Sequence, residues 1–341
     1  MLYFCAKLKN VWYNVIIMQR IKNKSLKDYK FIDLFCGIGG FHLALSSFGA
    51  KCVFASDIDV NAKKVYEDNF KIKVSGDITK IKESDIPEHD IICAGFPCQA
   101  FSISGKKGGF NDFKGRGELY KNVVEIAKYH QPKFILLENV KNLEAHNNGT
   151  TLKTILRDFE DVGYDMFFKV LNASDYGIPQ ARKRIYIVGI RRDLNIKEFS
   201  FPEPVKKKSF LKDILEIDID RSSLLINRDD VKIDYNIEEK ETGSLLRIGH
   251  VGLGRQGERI YSVQGHSITL SSQGGGVGGK TGMYLINGKV YKLSGRECAR
   301  LMGFPDKYKI AETNNLCYCQ FGNSVVVDVL QHILLKLVSL V

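Results

Sequence analysis

Between residues 31 and 190, short apolar runs rich in β-branched and aromatic residues alternate with longer helical patterns, and few arrangements of a chain satisfy that alternation. FIDLF, KCVFASD, DIICAGF, FILLENV and RIYIVGI predict strands, with helices over 40–48, 60–70, 119–130 and 152–162. Strands separated by helices are joined by crossovers, so the pattern implies an α/β lobe with a largely parallel sheet flanked by helices.

The character changes after Arg192. FPEPVKKK, an acidic stretch over 216–220 and a glycine-rich region over 243–288 read as a second domain spanning 192–292. Two lobes suit a chain of 341 residues, which is longer than one small core needs. Helical patterning returns at Ser294-Gly-Arg-Glu297, a capping box opening ECARLM, with Gly303 placed to end that helix. A final helix from about Ser324, within a C-terminal segment 293–341, is expected to return to the first lobe.

The 50 Lys and Arg against 39 Asp and Glu, a net charge of +11, favour polyanionic partners. The eight cysteines show no paired CxxC spacing, and Cys317-Tyr-Cys319 has no partners at zinc-site distances, which points to a reduced, cytoplasmic protein without a metal. The first 17 residues are broken by Lys7, Lys9 and Asn10 and lack a small-residue cleavage site, so they make a poor signal peptide. Residues 325–341 are interrupted by Asp328, Gln331, His332 and Lys336 and read as an amphipathic helix. The expectation is a soluble protein with no membrane span.

FIDLFCGIGGF runs a strand into a glycine turn and a helix. Gly37, Gly39 and Gly40 permit close backbone approach, and the helix start beyond them offers N–H groups to a polar ligand, although such a turn can also be purely structural. Asp57 closes the next strand, where an acid can hold ribose hydroxyls, and Asp77 follows Gly76 after it. Together they suggest an adenosine-containing cofactor, and the spacing is not the GxGxxG of nicotinamide enzymes. GGGVGGKT, residues 274–281, matches the P-loop pattern, but Asn287-Gly288 downstream signals a hairpin where a P-loop needs a helix. A loop whose backbone approaches another surface explains those glycines better.

GFPCQAFS places Cys98 just past the end of an apolar strand, at the sheet edge where open α/β sheets bind ligands. Cys52 and Cys93 read as small buried hydrophobes, whereas Cys98 is followed by the polar Gln99, Ser102 and Ser104. A free thiol titrates near ~8.5, so a nucleophilic role requires positive surroundings. ENV ends another strand at the same edge and brings Glu138 toward Cys98, while Arg182 and Arg184, two apart, share one face of an extended segment. A nucleophile, a carboxylic acid and two guanidiniums suit attack on an electron-poor ring that is protonated as it is attacked. Farther on, Arg259 can contact guanine in a bidentate manner and Glu258 can accept from a cytosine amino group.

The ordered series DLFCGIGG, GFPCQAFS, ENV, QARKR, RECARLMGFP and QFGNSV resembles the motif series of the DNA cytosine-5 methyltransferases of type II restriction–modification systems, across 31 to about 330. GRQGERIYSVQGHSITLSSQGGG is similar, more narrowly, to the recognition region of the members that read GCGC. The resemblance implies a Rossmann-like, S-adenosylmethionine-dependent methyltransferase fold with a mixed sheet and a smaller, mainly β target-recognition domain. It implies methyl transfer to C5 of a flipped-out cytosine in double-stranded DNA, with S-adenosylhomocysteine as product. Cys98 then attacks C6, Glu138 serves N3 and Arg184 meets O2, with Arg182 beside them.

Phe31, Gly37, Ile38, Gly39, Gly40, Asp57, Ile58, Asp77, Ile78, Pro97, Leu119, Asn323, Ser324 and Val325 fall on cofactor positions. Ser102, Ser104, Gln256, Glu258, Arg259, Thr269, Gln273, Gly274 and Gly275 fall on DNA-contacting ones, with Thr269 on a phosphate. Asp57 stands where the family usually has Glu, and Ile58 where an aromatic often packs on adenine, two departures that bear on cofactor affinity. The loop GKKGGFNDFKGRGEL is about two residues longer than in the GCGC branch and fits a lid closing on DNA. Residues 1–17 match nothing there, so translation is expected to start at Met18, or those residues to be dispensable. The protein is expected to be monomeric and to form no stable complex with any cognate restriction endonuclease of the same system. An RNA cytosine-5 methyltransferase, a non-catalytic DNA-binding regulator and a P-loop ATPase are the competing readings.

Overall fold

The structure, a computed structural model, describes residues 25–97 and 119–340. Cys98, Ser102, Ser104 and the 1–17 extension lie outside the described residues. In chain order the α/β half comprises β1 (Lys30–Leu34), α1 (Gly40–Ser46), β2 (Lys51–Ser56), α2 (Val60–Phe70), β3 (Ile91–Ala94), α3 (Leu119–His130), β4 (Phe134–Val140), α4 (Thr150–Asp161), β5 (Tyr164–Asn172), β6 (Gln180–Ala181) and β7 (Lys183–Arg191). Then follow β8 (Lys232–Ile233), β9 (Arg247–His250), β10 (Arg259–Ser262), β11 (Ser267–Ile268), β12 (Met283–Ile286), β13 (Lys289–Tyr291), α5 (Gly295–Leu301), α6 (Asn314–Asn323) and α7 (Val327–Leu337).

The chain divides into two compact units. The larger takes in the described residues up to Leu171, with Lys183–Glu203 and the residues from Leu330. Its six-stranded sheet runs β2-β1-β3-β4-β7-β5. Pairs β1–β2, β1–β3 and β3–β4 are parallel, and β7 is antiparallel to β4, so the sheet is mixed. β3 and most of β4 are buried on both faces, which is why they read as unbroken apolar runs. Ile92, Ile135, Leu137 and Ile187 of the sheet share a core with Tyr120, Val123 and Ala127 of α3 and with Leu152, Ile155 and Phe159 of α4. Those helix positions recur at three- and four-residue spacing, one apolar stripe per helix. With β2 on one side of β1 and β3 on the other, the strand order reverses at β1, and ligands of open α/β sheets bind at the carboxyl ends beside such a reversal.

The smaller unit comprises Asn172–Arg182 and Pro204–Val329. Its five-stranded sheet, β13-β12-β10-β9-β8, covers a small core of Ile248, Val251, Ile260, Met283 and Val290. The hairpin signal holds: Asn287 and Gly288 both have positive φ, 49° and 78°, in the two-residue turn between β12 and β13. The glycine-rich 274–281 segment accordingly leads into a strand and not into the helix a P-loop needs. The capping box also holds, Ser294 Oγ accepting from the Glu297 N–H at 3.1 Å and Glu297 Oε2 from the Ser294 N–H at 2.8 Å, and Gly303 follows the helix at φ 78°.

The units divide the chain differently from the sequence reading. Residues 192–203 stay with the larger unit, where Phe199 packs 6.2 Å from Phe167 of β5. Asn172–Arg182 joins the smaller one, because β6 pairs in parallel with β11. α5 and α6 group with the smaller unit as well. β5 was not foreseen: as a sheet edge it is only partly buried, and its sequence lacks a clean alternation.

Candidate functional site

β1 leads directly into the glycine turn. Phe35 at φ 53° and Gly37 at φ 52° turn the chain, and Gly39 at φ 82° precedes α1. A Cβ on Gly39 would collide with the Phe70 ring, whereas one on Gly37 would face open space, so packing demands Gly39 and backbone conformation alone demands Gly37. Asp57, beyond β2, ties the turn down: its Oδ2 accepts from the Gly37 N–H at 2.7 Å and its Oδ1 from the Asp59 N–H at 2.8 Å. Burial outweighs those bonds and raises the Asp57 carboxyl above the usual carboxylate range. Ile58 next to it is 75% exposed, an apolar surface left open at the strand end. Asp77 accepts from the Thr79 hydroxyl at 2.8 Å and from the Thr79 N–H, and these bonds hold its carboxyl below the ordinary value.

Phe31 corrects the sequence reading. It is 0% exposed, packed edge-on to His42, and has no surface to give a ligand. Phe35 is the half-buried aromatic at the open end of β1. Its positive φ, uncommon for a non-glycine residue, marks a locally strained site. Its place between the strand and the glycines was the one available signal. Ile38 and Ile78 are buried, so they can offer a ligand only their backbone, as can Gly40 at the start of α1. Leu119 opens α3 half-buried.

At the ends of β3 and β4 the strand register brings three segments together. Ala94 pairs with Leu137, so the Gly95-Phe96-Pro97 exit of β3 runs beside Glu138. Glu138 pairs with Tyr186 and Val140 with Arg184, which makes Glu138 and Arg184 diagonal neighbours on one face. Their side chains meet, Arg184 Nε lying 3.2 Å from Glu138 Oε1, with 16% and 11% of each exposed. The sequence did not single out Asn139, yet its Nδ2 donates to the Phe96 carbonyl at 3.2 Å and its Oδ1 accepts from the Val140 N–H at 2.9 Å. It pins the segment that leads to Cys98. The buried thiols behave as read: burial pushes Cys52 up to about 12 and Cys93 well above the ordinary thiol value. Among the described residues, no group of three metal-ligating side chains occurs.

Arg182 does not share a face with Arg184. The strand breaks between β6 and β7, and Arg182 belongs to the smaller unit, 2% exposed. There its guanidinium donates to the carbonyls of Leu270 at 3.1 Å, Gly322 at 3.0 Å and Ser324 at 2.7 Å. It staples the start of the 271–281 loop to the end of α6. We expect Arg182→Ala to lower unfolding stability by about 3 kcal/mol or more, because buried carbonyls lose a charged donor, and Arg182→Lys to restore only part, since an ammonium lacks the fork. Denaturant titration measures this, and a loss below about 1 kcal/mol would contradict the staple.

In the same unit two loops carry the candidate base-reading residues. Gln256 is exposed on the first and Arg259 at the start of the strand that follows it, with Gln273 exposed on the second. The loops meet backbone to backbone: Gly278 N–H donates to Gly257 O at 3.0 Å, and a Cβ on Gly257 would lie 2.8 Å from Gly279 O. Gly275 packs on Tyr318 and Gly322 on the Ser271–Ser272 backbone, so these glycines serve close approach. Glu258 Oε2 accepts from the Arg255 N–H at 2.8 Å, leaving other lone pairs for a base amino group. Thr269 differs from expectation: its hydroxyl donates to Ala181 O at 2.5 Å and cannot at the same time donate to a phosphate. Of the C-terminal candidates, Asn323 is exposed, whereas Ser324 and Val325 are buried.

The family model of C-5 cytosine-specific DNA methylases matches residues 29–339. The chain is 51% identical to the type II methyltransferase M.HhaI of Haemophilus parahaemolyticus, covering 93% of this chain and 96% of that one. It is 43% identical to the type II methyltransferase M.NgoBI of Neisseria gonorrhoeae, over 89% and 91%. Among solved structures, the S. pombe Dnmt2 methyltransferase matches with a TM-score of 0.68 over 91% of this chain and 98% of that one, at 21% identity, a likeness of fold.

Proposed function

This chain belongs to the C-5 cytosine-specific DNA methylase family, and we propose that it methylates the inner cytosine of GCGC in double-stranded DNA through a covalent adduct on Cys98. The reaction class is DNA (cytosine-5) methyl transfer from S-adenosylmethionine. The residues present fit that cofactor. Open space stands over Gly37, the exposed Ile58 offers an apolar contact to a purine, and Phe35 stands at the end of β1. Asp57 is committed to the Gly37 and Asp59 N–H groups, so its first service is to hold the turn in shape, with remaining lone pairs for ribose hydroxyls. When bound, the cofactor supplies an electrophilic methyl group to C5.

The observation that carries the mechanism is the Glu138–Arg184 pair beside the exit of β3. In our reading the Cys98 thiolate adds to C6 of the flipped cytosine, and the Glu138 carboxyl gives N3 its proton, so that charge does not build on the ring. Arg184 orients that carboxyl and turns its remaining N–H groups toward O2. C5, now nucleophilic, accepts the methyl group. A base then takes the C5 proton, N3 returns its proton to the Glu138 carboxylate, and the C6–S bond breaks to release the thiolate and restore the ring.

Arg259 and Glu258 are assigned to guanine and cytosine edges, with Gln273 and the glycines 274 and 275 approaching through the backbone. Gln256, with Ser104 from the loop after Cys98, is assigned to the space the flipped base leaves, and Ser102 of the same loop to a DNA contact. The assignment to DNA over RNA rests on the two base-reading loops. We further propose a monomer working on DNA in the cytoplasm of a prokaryotic cell, alongside a cognate endonuclease that it does not bind stably. Expressed in a methylation-free host, the protein is expected to place 5-methylcytosine at GCGC across a plasmid, and Arg259→Ala to lose about 1–3 kcal/mol of discrimination. Modification centred on another motif would overturn the specificity and leave the reaction class standing.

A further inference from the structure

The loop from Val251 to Glu258, which carries Gln256 and leads to Arg259, is closed mostly by its own backbone. Val251 N–H donates to Glu258 O at 2.8 Å, Gly254 N–H to Val251 O at 3.1 Å and Glu258 N–H to Arg255 O at 2.9 Å. Gly252 and Gly254 have φ of 53° and 71°, so the loop passes through conformations that side-chain-bearing residues avoid. A loop built this way needs an anchor outside itself to hold one geometry. Asp230 supplies one: its Oδ2 accepts from the Gly252 N–H at 3.0 Å.

Asp230 is itself held. Arg228 grips it as a fork, Nε to Oδ1 and Nη2 to Oδ2, both at 2.7 Å, and that grip holds the carboxyl down to about 2, so it is ionised across the working range. The turn that carries both residues precedes β8, and β8 pairs with β9 at Lys232–His250, immediately before the loop. The anchor is therefore braced against the strand from which the loop departs. Arg228 also feels the Glu258 carboxylate, and a Cβ on Gly252 would lie 3.5 Å from that carboxyl. Two carboxylates thus hold two backbone N–H groups of one loop, Asp230 at Gly252 and Glu258 at Arg255, with one guanidinium offsetting their charge.

We propose that Asp230 and Arg228 are positioning residues for sequence discrimination: they touch no base, and they set the loop geometry in which Gln256 and Arg259 meet the DNA. This rests on the base-reading role proposed for that loop. Removing the anchor frees a loop whose productive geometry must then be found at each encounter, which lowers affinity for the cognate site more than for any other sequence.

The test compares kcat/KM on a GCGC duplex with that on duplexes changed at one outer base pair, for the wild type, Asp230→Ala, Asp230→Asn and Arg228→Ala. Asp230→Ala is expected to reduce the cognate-to-near-cognate ratio about tenfold, in line with loss of one hydrogen bond to a charged acceptor, while kcat at saturating cognate DNA holds. Asp230→Asn keeps an oxygen for the Gly252 N–H and recovers part of the ratio. Arg228→Ala in the Asp230→Ala background adds nothing to the loss. The salt dependence of non-specific DNA binding stays at the wild-type slope in all variants; a slope lowered by Arg228→Ala alone would make it a phosphate contact and overturn its positioning role. A wild-type ratio in Asp230→Ala, or an equal loss on every duplex, overturns the inference. A wild type with no preference for GCGC overturns the underlying reading instead. Should Asp230→Ala not fold, the ratio for Asp230→Asn decides the matter, because an unchanged ratio there also overturns the proposal.

Discussion

Cys98→Ser abolishes methyl transfer while DNA and cofactor binding stay measurable: that is the largest effect expected of a single substitution here. A serine alkoxide is inaccessible near neutral pH, whereas a thiolate is available at useful fractions, and addition to C6 is the step that makes C5 nucleophilic. Three thiols of the same lobe cannot stand in, since Cys36, Cys52 and Cys93 are buried and desolvation pushes each of them up. With 5-fluorocytosine at the target, the wild type forms a DNA adduct that survives denaturation, because fluorine cannot leave as the C5 proton does. Cys98→Ser forms none. Equal methylation rates for the two proteins, or an adduct mapped to another residue, would remove Cys98 from the chemistry.

Glu138→Gln is expected to cut single-turnover methylation by roughly 10²–10⁴-fold, the usual worth of a positioned proton donor. The amide keeps the shape and can still hydrogen-bond to Arg184, but it has no proton of suitable acidity to give N3. DNA binding should change little, so the loss falls on kcat and not on KM. The Arg184→Lys variant loses less, because an ammonium can still pair with the carboxylate without the fork's orientation. A Glu138→Gln rate within a fewfold of wild type would move the proton-transfer role elsewhere.

Features decided by neighbouring residues are legible in the sequence. The helices over 60–70 and 119–130 run as expected, because each apolar stripe is set by residues three and four apart. The Ser294–Glu297 box and the Asn287-Gly288 turn are also decided within four residues. Glu138 and Arg184 were both named from sequence, since each ends or begins an apolar strand, and the mixed sheet followed from the motif series. The larger errors concern partners far away in the chain. Phe31 and Phe35 have the same chemistry four positions apart, and nothing local says which one the core takes.

By itself, then, the sequence determined where strands, caps and left-handed turns had to form, and through its motif order which reaction the chain performs, because those depend on backbone conformation and on residue types at short spacing. Only the tertiary structure decided that Arg182 staples carbonyls near residues 270 and 322 while Arg184 meets Glu138, that β5 forms the sheet edge, and that Asp230 anchors a loop 22 residues on. Long-range register sets which side chains are desolvated and which polar groups they meet. A guanidinium therefore becomes brace or reagent according to the oxygen atoms that folding delivers to it.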